Sequence, residues 1–197
     1  MIGTLLTGEP RASAADQIIR AHYTQSVPSG KSHYVQVGDA IVVWAIPANK
    51  NISRFLFGLA DPQPVVWELA RLWAPDGHKR NLLTAAIAKA VGVLMTLERP
   101  DALVSYADPN VGHEGFVYRA ASWTYTGTGG ETRAYRPLAG GPLVARRAFH
   151  SGSKGLTKAE IEAMGYEEIR VKPKHRYVRC LSNLAVRRLK AAQCPTS

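Results

Sequence analysis

Between Val65 and Tyr106 the chain reads strand, polar loop, long helix, strand, and this succession points to an α/β architecture. Val65–Trp73, VVWELARLW, is rich in Val, Leu and Trp and is expected to form a central strand. Glu68 and Arg71 interrupt it. A charge in such a strand is costly unless it is paired or functional. Ala74–Asn81 is a polar loop. Leu82–Leu97 then places Leu83, Ile87, Ala90, Val91 and Leu94 on one stripe at helical spacing, with Asn81 as the expected N-cap. Glu98-Arg99-Pro100-Asp101 ends the helix before the strand at Leu103.

The stretch Leu103–Gly127 holds the densest set of reactive side chains. Leu103–Tyr106 reads as the end of a buried strand, broken by Asp108-Pro109-Asn110. Gly112 and Gly115 give backbone freedom before a short helical run from Tyr118 to Ser122. Ser105, Tyr106, Asp108, His113 and Tyr118 therefore gather where a strand ends and a helix begins, the place where open α/β sheets bind ligands. A tyrosine-rich core turn is the competing reading.

The rest of the chain supplies flanking elements. Met1–Arg11 is expected to start extended. Ser13-Ala14-Ala15-Asp16 resembles a capping box that opens a helix running to about Tyr23, with His22 at its C-terminal end. His33–Val37 and Ala40–Ile46 read as a hairpin around Gly38-Asp39. Phe55–Leu59 is a short strand or an apolar loop. Thr124–Tyr135 reads as a hairpin with a glycine tip, and Gly152–Gly155 as a basic loop. Thr157–Glu160 is a full capping box for a short helix. Glu168–Val171 and Tyr177–Leu181 suggest a last hairpin, and Val186–Ala192 a terminal helix. The length suits one domain over 1–197.

Charge is unevenly spread. The chain has 25 Lys and Arg against 15 Asp and Glu, a net of +10. Arg133–Lys190 alone carries 14 basic and 4 acidic residues, so the whole excess lies in the last third. That polarity points to a polyanion, nucleic acid first, with residues 133–197 as the contacting part. No apolar run is long enough to span a bilayer and no signal peptide is visible. The two cysteines, Cys180 and Cys194, form no CxxC motif, which fits a reducing cytoplasm.

The order of elements resembles the GNAT acyltransferase fold, a central mixed twisted sheet flanked by helices, over Glu68–Leu97 and Leu103–Gly127. In that fold backbone N–H groups at a helix start hold the pyrophosphate of acetyl-CoA. Here that place is Lys79, Arg80, Asn81 and Leu82, although the family's Arg or Gln followed by two glycines is missing. A closer resemblance is to the Mom family of phage DNA-modification proteins, a divergent branch of the fold. It rests on His22-Tyr23, ELARL at Glu68–Leu72, Arg80-Asn81, SYAD at Ser105–Asp108, GHEGFVYRA at Gly112–Ala120 and KPKHRYV at Lys172–Val178.

That resemblance implies carbamoylmethylation of adenine N6, which hides phage DNA from restriction enzymes in the host cytoplasm. It implies His22, Tyr23, Arg71, Asp108 and Tyr118 as active-site residues. Adenine N6 is a weak nucleophile, and Asp108 or His22 suits the base that removes its proton. Arg71 suits a developing anion. The partner implied is double-stranded DNA with a flipped adenine, on which Trp73, Trp123 or Tyr125 could stack. Arg146, Arg147, Lys154, Lys172, Lys174, Arg176 and Arg179 are the expected phosphate contacts. Carbamoylmethylation joins N6 to a methylene and adds an amide nitrogen, which transfer from a thioester does not yield. The product therefore implies a donor other than simple acetyl-CoA, or a metal. His22, Asp108 and Tyr118 offer N and O ligands suited to iron. The alternatives are an ordinary GNAT N-acetyltransferase that uses acetyl-CoA on a small amine or protein, and a non-enzymatic DNA-binding protein. A homodimer is compatible with the chain.

Overall fold

The computed structural model describes residues 1–129, 133–141, 143–145, 149–151 and 154–193. The first half runs β1 (Thr4–Leu6), α1 (Gly8–Ala21), β2 (Ser32–Val37), β3 (Ala40–Ala45), α2 (Ile52–Phe57), β4 (Val66–Trp73) and α3 (Leu82–Leu97). The second half runs β5 (Ala102–Ala107), α4 (Phe116–Ala120), β6 (Thr124–Gly129), β7 (Arg133–Pro137), β8 (Val144–Ala145), β9 (His150–Ser151), β10 (Lys154–Gly155), α5 (Lys158–Ala163), β11 (Tyr166–Arg170), β12 (Lys174–Cys180) and α6 (Asn183–Gln193). A 3-10 turn, Pro109–Val111, lies between β5 and α4.

Seven strands form one mixed sheet in the order β1-β2-β3-β4-β5-β12-β6. Among the described residues only β4 and β5 run parallel within it; the other neighbours are antiparallel. Side chains alternate between its faces. On one face, Val35, Val42, Trp44, Trp67, Leu69 and Leu103 pack with Ala86, Ile87, Ala90 and Leu94 of α3 and with Tyr118 of α4. On the other, Tyr34, Ile41 and Val43 pack under Ile18 of α1, while Val66, Val104 and Val178 pack with α2 and α6. This is the α/β arrangement expected from the sequence, a central mixed sheet flanked by helices, with β4 passing through a polar loop into α3.

The parallel pairing of β4 and β5 is short. It runs from Val66↔Ala102 to Glu68↔Val104, yet β4 continues to Trp73 and β5 to Ala107. On its other side β4 bulges: Trp44 faces Leu69 while Val43 faces Arg71, so Ala70 is an extra residue. The two strands thus part at their C-terminal ends, and the gap is where the candidate site lies.

Several local expectations are corrected. α1 begins at Gly8, with Thr7 at the N-cap, so Ser13–Asp16 lies inside it; Pro10 is tolerated because a first-turn N–H needs no intrahelical partner. Phe55 belongs to a helix, α2, whose Ile52, Leu56 and Phe57 are buried together. Thr124–Tyr135 is not a hairpin. β6 pairs with β12, whereas β7 joins a separate three-stranded sheet, β11-β7-β8. The last expected hairpin is divided in the same way: β11 lies in the small sheet and β12 in the large one. Lys172-Pro173 is therefore a passage between sheets. β10 pairs with β9 where a loop was expected. The Thr157 capping box is present, its hydroxyl accepting from Glu160 N–H and Glu160 accepting from Thr157 N–H.

Candidate active site

The cleft at the parting of β4 and β5 has a volume of about 460 Å³. Leu69, Ala70, Leu72 and Trp73 line it from β4, Tyr106 and Ala107 from β5. His22 and Tyr23 close one side, and His113 to Tyr118 the other. Three of the five residues expected at the active site, His22, Tyr23 and Tyr118, therefore share this cleft. Arg71 and Asp108 do not line it; they hold its margins.

His22 follows α1, and its ring stacks on Tyr23 with centroids 4.4 Å apart. Tyr23 in turn meets His113 edge-on at 5.0 Å. Thr24 N–H donates to His22 Nδ1 at 3.2 Å. A backbone amide can only donate, so the neutral ring carries its own proton on Nε2. Burial, then the charges of Arg71, His113 and Lys174, lower the His22 pKa from 6.5 to about 4. His22 is thus neutral at physiological pH and presents its Nε2–H as a donor. Arg71 fixes the segment behind it: Nε donates to Ser26 C=O at 2.7 Å, and Nη2 to Ser26 Oγ at 2.9 Å. The charge in the central strand clamps the chain that carries His22 and Tyr23.

Tyr118 Oη and Ser105 Oγ lie 2.9 Å apart, and Ser105 donates to Leu69 C=O at 2.9 Å. Ser105 has one proton, and Leu69 C=O can only accept it. Tyr118 is therefore the donor to Ser105, and the three groups form one chain across the parting strands. Burial raises the Tyr118 pKa, with Glu68 and Tyr177 adding to it against the Ser105 bond, so the phenol keeps its proton. Gly115 makes this placement possible. It caps α4 at φ +74, and a Cβ there would lie 2.3 Å from Tyr177 Cε2.

Asp108 has both oxygens engaged. Oδ1 accepts from Asn110 N–H at 3.0 Å and from Asn110 Nδ2 at 2.8 Å; Oδ2 meets Lys174 Nζ at 3.0 Å. Burial pushes its pKa up, but the bonds from Lys174 and Asn110 outweigh burial and hold it below the ordinary carboxylate value. Asn110 also exchanges two hydrogen bonds with the Lys172 backbone, at 2.9 and 3.0 Å. The passage from the small sheet is thereby pinned to the end of β5, which brings Lys172 and Lys174 to the cleft's rim.

The three groups considered for iron do not fit a metal site. Asp108 is held by a lysine and an asparagine, Tyr118 keeps its proton for Ser105, and His22 Nδ1 is already bonded. Among the described residues no three His, Cys, Asp or Glu side chains could hold a metal ion. At the start of α3, Lys79, Arg80 and Asn81 are exposed and Leu82 is buried. Asn81 sits at the N-cap in the left-handed region, φ 65, without a side-chain cap. Leu82 N–H instead donates to Lys79 C=O at 3.1 Å.

Of the expected phosphate contacts, Lys172 is exposed, while Lys174 and Arg179 are half-buried. The Lys154 backbone lies in β10, and Arg146 and Arg147 lie outside the described residues. Arg176 is only 7% exposed. Its guanidinium donates to Thr126 Oγ1 and to the Thr126 and Thr128 carbonyls, and lies over the Phe55 ring at 4.5 Å. It is spent inside the fold, where it holds the irregular pairing of β6 with β12. Of the stacking candidates, Trp73 lines the cleft, Tyr125 is 48% exposed, and Trp123 is buried against Tyr118. Thr24, Ser26, Asn110 and Phe116 were not singled out from the sequence. They work through one or two local contacts that leave no periodic trace.

A bulged central strand, a basic helix start and a cleft between parting strands define an α/β protein with its candidate site at the strand ends. Residues 5–197 match the Mom protein family, and the chain belongs to that family. Among solved structures, a Bacillus subtilis acetyltransferase in complex with CoA is similar at 10% identity, covering 92% of this chain and 99% of that one, TM-score 0.45. MesI, a CoA-dependent acyl-homoserine lactone synthase, is similar at 12% identity, covering 99% and 97%, TM-score 0.46. No curated protein matches the sequence.

Proposed function

We propose that this protein is a DNA-modifying transferase that alters adenine N6, with the carbamoylmethyl group as the product that protects DNA from restriction. Membership of the Mom family over residues 5–197 carries this reading. The adenine, flipped from the duplex, enters the cleft between β4 and β5. Tyr23 and Trp73 offer ring faces to it, His22 offers its Nε2–H, and Tyr118 its phenol oxygen. The donor, a relative of acetyl-CoA that also brings the amide nitrogen, lies with its phosphates at the start of α3, where Lys79, Arg80 and the positive helix end attract them. Asp108 shapes the rim through Lys174 and Asn110.

Lys172, Lys174 and Arg179, with Arg146, Arg147 and Lys154, grip the DNA backbone. Arg176 is left out of this grip because its guanidinium is consumed by β6. The four acidic residues of the last third are occupied locally: Glu167 pairs with Arg136, Glu168 with Arg133 and Lys158, and Glu162 with Lys158, while Glu160 completes the helix cap.

Mass spectrometry of nucleosides from DNA of cells that express the protein tests the reading. A new deoxyadenosine species is expected, lost with Tyr118→Phe, and its mass identifies the group. Unmodified deoxyadenosine in cells shown to contain folded protein would refute it. Acetylation of a small amine or protein by that same preparation would then establish the ordinary acetyltransferase.

A further inference from the structure

Phe116 is the most solvent-exposed aromatic side chain of the cleft lining, at 71%. It is the first residue of α4, and its position is fixed from behind. Gly115, next to it, abuts the buried Tyr177 ring, and Tyr177 Oη donates to Glu114 C=O at 3.0 Å. The Arg119 guanidinium lies over the Phe116 ring at 4.6 Å. Val111, in the turn before, is 44% exposed. An apolar ring exposed to water on a backbone anchored at Gly115, with a cation over one face, is a surface suited to a stacking partner.

The surroundings say which partner. Glu114 Oε2 is 3.4 Å from His175 Nε2, and Lys174, beside it, pairs with Asp108. Phe116, two residues beyond Glu114, therefore stands at the lip of the cleft on the side that Glu114 ties to His175, and the exposed Lys172 lies three residues before His175. A polyanion drawn to Lys172 brings its bases toward this lip.

We propose that Phe116, steadied by Arg119, is the wedge that enters the base stack and fills the space vacated when the adenine turns into the cleft. The inference rests on the DNA reading above. Extruding a base costs unstacking, and apolar side chains inserted at a step offset that cost. Phe116 is a positioning residue: it acts on the duplex and leaves the reacting nitrogen to the cleft.

The test uses duplexes in which 2-aminopurine replaces each adenine in turn. Its fluorescence rises when the base leaves the stack. The wild-type protein is expected to raise it at the target position. Phe116→Ala should cut the flipped fraction by about tenfold, the scale of one base–aromatic stack. Phe116→Trp should restore it. Binding to a single strand, measured by anisotropy, should fall less in Phe116→Ala than the flipped fraction does, because a single strand has no base stack for the wedge to fill. An abasic site opposite the target, which lowers the cost of extrusion, should rescue Phe116→Ala. An unchanged rise in Phe116→Ala would overturn the wedge alone, as would an equal loss of duplex and single-strand binding. No rise with wild-type protein at any adenine would overturn the DNA reading itself, and the wedge with it.

Discussion

Replacing Gly115 by alanine should damage the site through one contact whose size the structure sets. Two penalties add. The backbone at φ +74 is left-handed, which costs an L-residue with a Cβ about 1–2 kcal/mol. The new Cβ would also lie 2.3, 2.4 and 2.5 Å from Tyr177 Cε2, Cζ and Oη. That ring cannot swing away. It is 1% exposed, packs at 5.3 Å from Tyr118 and 5.6 Å from Tyr125, and bonds to Glu114. Overpacking of this kind costs about 1–3 kcal/mol. Urea unfolding should therefore show Gly115→Ala destabilised by about 2–5 kcal/mol. In a Tyr177→Leu background the clashing atoms are gone and only the backbone term remains. The cycle should give a coupling of about 1–3 kcal/mol. A cost below about 1 kcal/mol, or an equal cost in both backgrounds, would refute the steric argument.

Other outcomes follow from named contacts. His22, with its pKa near 4 against 6.5 unfolded, leaves stability untouched above that window and costs stability as pH falls through it, because the unfolded chain then binds the proton more readily. His22→Asn should flatten the stability–pH curve between these values, and a rate inflection near 6.5 abolished by the same variant would contradict the neutral ring. Lys172→Gln should lower the salt slope of DNA binding by about 1, while Arg176→Met should leave that slope intact. Arg176→Met should instead destabilise the fold by about 1–3 kcal/mol in urea, as its buried carbonyl partners lose their donor. Asn110→Ala removes both bonds to the Lys172 backbone and should speed hydrogen exchange at the Lys172 amide without changing exchange in α3.

What could be read in the sequence, and what could not, divides along the range of the interactions. The β4–α3–β5 unit was legible because burial of one face forces a period on the residues, and Leu82–Leu97 carries it for sixteen positions. The β2–β3 hairpin was legible because its two strands are joined by a tight turn. β6 and β12 were not, since each pairs with a strand remote in sequence, and no local pattern states which sheet receives a strand. The same limit governs the site. His22, Tyr23 and Tyr118 could be named from short motifs, but their chemical states are set by partners elsewhere. Thr24 chooses the His22 tautomer, Ser105 accepts the hydrogen bond of the Tyr118 phenol, and Lys174 holds the Asp108 carboxylate. At His22 the one lone pair of the neutral ring is already taken by Thr24 N–H. The resting cleft thus presents a donor at His22 Nε2 and an acceptor at the Tyr118 oxygen beside an apolar slot, and both are set by partners that no local sequence pattern states.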